Sequence, residues 1–115
     1  MKTREDQLKE LANDILVTAC EGGVNYWARV YSYCPDLEET HTWIEDREEG
    51  KKYYIDSDTI LRKVKKMLED TNLDIAESII KNIRYAYLRP EESNLDANDC
   101  DCILQYICFG AVIYG

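Results

Sequence analysis

Histidine, phenylalanine, proline and glycine are scarce in this chain, which holds one His, one Phe, two Pro and five Gly. The lone histidine, His41, has no second one with which to share a metal. No nucleophile is signalled beside it either, so it reads as a solvated residue at a strand edge. The five cysteines, Cys20, Cys34, Cys100, Cys102 and Cys108, include no C-x-x-C pair. Cys100 and Cys102 lie in a helical pattern, where two such positions point roughly 200° apart and cannot reach one ion. Reduced, packed thiols are expected there, and no metal. Gly22-Gly23 stands after a helical pattern and before a strand-like one, whereas a phosphate loop runs strand, glycines, helix. It reads as a helix stop. Asp96, Asp99 and Asp101 resemble a calcium loop in composition, but neither its glycine nor its final Glu follows. They read as cap and helix-start charges, and no cofactor is expected.

Cations are the other shortage, with 14 Lys and Arg against 23 Asp and Glu for a formal charge of −9. Direct binding to a nucleic-acid backbone or to an anionic membrane needs the opposite balance. No apolar run is long enough to span a bilayer. The charged start, Met1 to Asp6, leads into an amphipathic pattern rather than a secretory apolar segment, so a cytoplasmic protein is expected.

What remains is ample for a fold. The 115 residues are 45% hydrophobic, with nine Tyr and two Trp, enough for a single domain spanning residues 1–115. Thr3 and Asp6 form a variant capping box, and Leu8, Leu11, Ala12, Ile15, Leu16 and Ala19 recur at helical spacing from about Arg4 to Cys20. Val24 to Cys34 reads as a strand. His41 to Asp46 and Lys52 to Ile55 read as two more, joined by a turn at Gly50. Helices then follow from Asp56–Asp58 to about Glu69, from near Asp74 to Arg89-Pro90, and from near Asp96 to Gly110. The fold class is therefore α+β: an N-terminal helix, a three-stranded antiparallel meander, and three helices packed on the sheet.

The densest charge lies from Asp36 to Glu49, where seven carboxylates (Asp36, Glu38, Glu39, Glu45, Asp46, Glu48, Glu49) meet one cation, Arg47. Crowded like charges do not stabilise a fold, so such a segment suggests a basic partner. Glu38, Glu39, Glu45, Asp46, Glu48 and Glu49 would supply charge, and Trp43, with Tyr53 or Tyr54, an aromatic anchor. The plain alternative is a solvated hairpin with Trp43 packed inward.

Two other classes stay open. Arg62, Lys63, Lys65 and Lys66 could serve an RNA-binding module, since the first five elements follow the α-β-β-β-α order of double-stranded RNA-binding domains. The chain's charge works against that reading. A small enzyme would use the polar cluster Glu21, Asn25, Tyr26 and Arg29 after the double glycine.

Three segments carry a resemblance. Glu21-Gly22-Gly23-Val24-Asn25-Tyr26-Trp27-Ala28, Asp96 to Tyr106, and Phe109-Gly110-Ala111-Val112-Ile113-Tyr114-Gly115 together resemble short proteins of bacteriophages and prophages. Those proteins carry E-G-G-x-x-Y-W early and end on F-G-x-x-x-Y-G. The resemblance brings no catalytic residues. It implies a context, in which small acidic phage proteins bind host proteins such as nucleases and CRISPR effectors, some by mimicking DNA.

Overall fold

The opening helix follows from its cap. In a computed structural model describing residues Met1 to Gly115, Thr3 Oγ1 accepts from Asp6 N at 3.1 Å and the Asp6 carboxylate accepts from Thr3 N at 3.2 Å. Helix α1 runs Arg4–Thr18 and buries Leu11, Ala12, Ile15 and Leu16. It then widens into a turn over Ala19–Gly23, closed by Val24 N donating to Ala19 O at 3.0 Å. Gly23 meets the start of the last helix here, and a Cβ on it would stand 2.9 Å from the Ala97 carbonyl oxygen, while one on Gly22 would touch nothing. Gly23→Ala should therefore lower the urea midpoint by an amount equivalent to about 1–3 kcal/mol. Gly22→Ala should stay within roughly 0.5 kcal/mol.

Strand β1 (Ala28–Cys34) begins later than its pattern suggests. Val24 O instead accepts from Trp27 N and Ala28 N, a turn that carries Trp27 into the core at 2% exposure. β1 pairs with β2 (His41–Asp46), which pairs with β3 (Lys52–Asp56), both antiparallel, in the order β1-β2-β3. Ser32, at φ +50°, falls where the β1–β2 register shifts, so Tyr33 leaves the face that Tyr31 occupies. Gly50, at φ +72°, lies in the turn between β2 and β3.

Asp56 accepts from Thr59 N at 2.9 Å and starts α2 (Ser57–Glu69), which buries Ile60, Val64 and Met67. Helix α3 (Glu77–Leu88) has no side-chain cap and begins after Asp74, past a bend at Ile75, whose side chain packs against the core. Helix α4 (Ala97–Phe109) has a full capping box, Asp96 with Asp99, and ends on Gly110 at φ +70°. Its helical spacing puts Ala97, Cys100, Ile103, Leu104, Ile107 and Cys108 on one apolar stripe. Instead every residue from Asp99 to Tyr106 is buried, because α1, α2, α3 and the Ala19–Gly23 turn all pack around it. The molecule is an α+β fold with α4 as its central rod, and no helix is long and apolar enough to cross a membrane.

Candidate binding face

Side chains alternate across a strand, and β2 separates cleanly. Thr42, Ile44 and Asp46 are buried toward the helices, while Trp43 points outward at 39% exposure. Its cross-strand neighbours are Tyr31 on β1 and Tyr54 on β3. Tyr54 is 46% exposed and its ring lies 5.3 Å from that of Trp43 and 5.9 Å from His41. The outer face thus bears an aromatic row, Tyr31–Trp43–Tyr54. The Tyr31 hydroxyl is the one buried side-chain polar atom without a hydrogen-bond partner.

Two residues expected on this surface, the candidate anchor Tyr53 and the carboxylate of Asp46, lie elsewhere. Tyr53 sits opposite Ile44, facing inward, edge-on to Phe109 at 5.8 Å, and burial raises its phenol pKa. Asp46 is 2% exposed; its Oδ1 accepts from Glu48 N at 3.0 Å and lies 3.1 Å from the Tyr114 hydroxyl. Neither is displayed to a partner, since the two-residue period of the strands turns them to the side opposite Trp43.

The other carboxylates divide between the two ends of β2, about 17 Å apart for a six-residue strand. At one end a hollow of about 420 Å³ is lined by Glu38, Glu39, His41, Tyr54, Asp56 and Asp58, with Lys9 as its cation. Lys9 is paired with Glu38 at 2.6 Å, so Glu39 and Asp58 stand exposed without a counter-ion. In the sequence Asp56 and Asp58 mark only the start of a helix; the antiparallel pairing of β2 and β3 is what brings them beside Glu39. At the other end, Glu45 lies between Arg29 and Lys52, and Glu48 and Glu49 share the turn with Arg47 and Lys51. That end holds at least as many cations as carboxylates, although none of them forms an ion pair within 4 Å. The negative field is concentrated at the hollow rather than along the whole segment.

The polar cluster Glu21, Asn25, Tyr26 and Arg29 does not gather around one cavity. Glu21 accepts from the Tyr33 hydroxyl at 2.8 Å, and the Asn25 carbonyl accepts from Arg47 Nε at 3.0 Å. Arg29 lines a hollow with Glu45 and Arg47, and Tyr26 lines a different one with Gly22, Gly23 and Asp101. Burial pushes the Cys100 and Cys108 thiols up to about 12 and those of Cys20 and Cys102 to about 11, leaving them protonated at neutral pH. No three His, Cys, Asp or Glu side chains stand close enough to hold a metal ion.

A buried polar network went unseen in the sequence. Asp101 accepts from Trp27 Nε1 at 2.7 Å, from the Tyr26 hydroxyl at 2.6 Å and from Gln105 Nε2 at 3.0 Å. Gln105 Oε1 in turn accepts from Ile113 N and Tyr114 N at 2.9 and 2.8 Å, and Nε2 donates to Tyr114 O. Tyr114 stacks on Trp27 with ring centroids 5.7 Å apart. Desolvation, then hydrogen bonds to Glu48 and Asp46, raise the pKa of its phenol. The i, i+4 pair Asp101–Gln105, set among the apolar residues that follow Asp99, was the available signal. These residues belong to the three segments that carry the resemblance, which therefore meet at one place in the fold, away from the Trp43 face.

No protein-family model, curated protein or solved structure matches the chain.

Proposed function

We propose that the protein is a non-catalytic binding module that docks the open face of its sheet onto a basic surface of a host protein. The observation that carries this reading is the exposed Trp43–Tyr54 pair beside a hollow whose Glu39 and Asp58 have no counter-ion. Large aromatics at the centre of a contact supply most of its affinity, and a charged margin supplies steering and choice of partner. The partner class that fits is a nucleic-acid-binding protein, such as a CRISPR effector or another defence nuclease. Carboxylates at the hollow would occupy positions on such a partner that phosphates otherwise hold, which is DNA mimicry in a phage-type context.

The second reading, RNA binding, has its own support: Arg62, Lys65 and Lys66 are exposed on α2 and join no ion pair. Three cations on a chain of net −9 place it behind the first.

The test is capture from a bacterial lysate on immobilised protein, compared with Trp43→Ala. Because Trp43 is outward, the variant keeps its fold. The expected result is a basic, nucleic-acid-binding partner held at about 0.1 M salt and released at about 0.5 M, where the screening length falls from roughly 10 Å to about 4 Å. Its affinity should fall at least about 30-fold in Trp43→Ala, the cost of losing a central aromatic of about 2 kcal/mol. Capture indifferent to both salt and Trp43 would exclude the docking face.

A further inference from the structure

We infer that the open sheet face takes its partner in one polarity only. Resting on the binding reading above, the partner is a segment with an apolar middle whose cations are confined to one end, and that end lies over the hollow of Glu39 and Asp58. The two ends of the face differ in charge although both are rich in carboxylates. At the hollow, four carboxylates (Glu38, Glu39, Asp56, Asp58) face one ammonium, Lys9. At the β2–β3 turn, four carboxylates (Glu45, Asp46, Glu48, Glu49) stand beside four cations (Arg29, Arg47, Lys51, Lys52), and one of the carboxylates, Asp46, is buried.

Cations also hold positions on the face itself at that second end. Arg29 and Lys52 flank Glu45 on the outer side of the sheet, and the Lys52 ammonium lies 5.8 Å from the Tyr31 ring centroid. A uniformly basic segment laid along β2 would meet attraction at the hollow and repulsion at Arg29 and Lys52. A segment basic at one end and acidic at the other is attracted at both. Between them the row Tyr31–Trp43–Tyr54 offers apolar contact. Arginine is the cation best suited to the hollow. Its planar group can bridge two carboxylates and stack on a ring, here Tyr54 or His41.

The experiment uses two synthetic peptides of about 14 residues, roughly 20 Å long as helices. One carries arginines at its N-terminal end, leucine and tyrosine in the middle and glutamates at its C-terminal end. The other has the same composition with the charged ends exchanged. Each bears a nitroxide at its N-terminus and is added to the isotope-labelled full chain. The first peptide should broaden the amide signals of Glu39 and Asp58, the second those of Gly50 and Lys51, with both shifting the Trp43 indole signal. Glu39→Gln combined with Asp58→Asn should abolish this discrimination, and Glu48→Gln combined with Glu49→Gln should leave it in place. Equal broadening at both ends, with the Trp43 signal shifted, would overturn the polarity and leave the docking face standing. Binding that leaves the Trp43 signal unmoved, or no binding of either peptide, would overturn both.

Discussion

Asp101→Ala should cost about 3–5 kcal/mol of folding stability, a large share of the roughly 5–15 kcal/mol that holds a domain together. Asp101 is 4% exposed on α4 and accepts three hydrogen bonds, from the Trp27 indole, the Tyr26 hydroxyl and the Gln105 amide. Trp27 and Gln105 are themselves 2% and 0% exposed, so water cannot replace the lost acceptor without opening the core. Each donor left buried and unpaired costs about 1–3 kcal/mol. Asp101→Asn separates two explanations. Asparagine keeps one oxygen for Trp27 and Gln105, and Tyr26 can turn its proton toward Tyr114 O, 3.4 Å away. That variant should lose only about 1–2 kcal/mol. Urea midpoints at unchanged slope measure both. Equal losses for the two would mean that the negative charge matters, rather than the geometry of acceptance.

Why Asp101 was misread shows what a sequence can convey. Asp96 and Asp99 do what their pattern suggests, each closing one half of a capping box, because a cap is settled within four residues. Asp101 lies only two positions on, yet its partners come from a turn before β1 and from the next turn of α4. Elements with local causes were readable: the Thr3–Asp6 box, the hairpin glycine and the Gly110 stop. The inward turn of Trp27 was not, since the aromatic and β-branched run from Val24 suits a strand until the Ala19–Gly23 turn feeds the chain in at another angle. The candidate face was half readable. Alternation along β2 already separates Trp43 from Asp46, and alternation along β3 separates Tyr54 from Tyr53. Which set faces outward depends on the helices covering Ile44 and Ile55. The charge balance at the β2–β3 turn depends on Arg29, which arrives from another strand and leaves no trace in a count taken from Asp36 to Glu49.

Gln105→Leu should release the tail while sparing the Trp43 row and the hollow of Glu39 and Asp58. The side chain has 0% exposure, and its amide holds the backbone of Ile113 and Tyr114 much as a neighbouring strand would. Leucine has nearly the same volume, so the core stays filled and the change is one of polarity. The Ile113 and Tyr114 amides can regain partners from water only if the tail lifts off Trp27 and Phe109, giving up the stacked and edge-on contacts of Tyr114. A loss of about 2–3 kcal/mol is expected, below that of Asp101→Ala because the tail can rehydrate. Hydrogen exchange provides the sharper readout. The Ile113 and Tyr114 amides should exchange as an exposed chain does, while the Trp27 indole, still held by Asp101, keeps its protection. Unchanged protection at 113 and 114 would mean that ring packing alone holds the tail. Tyr114 also reaches Asp46 and Glu48, so its departure loosens the β2–β3 turn, the end of the sheet where charge is already balanced. The hollow of Glu39 and Asp58 lies at the opposite end, and salt-dependent binding should survive. Persistence of Trp43-dependent capture in Gln105→Leu would show that the tail and its network serve the build of the molecule, and that the proposed docking needs the Trp43 row and the hollow rather than the turn that Tyr114 braces.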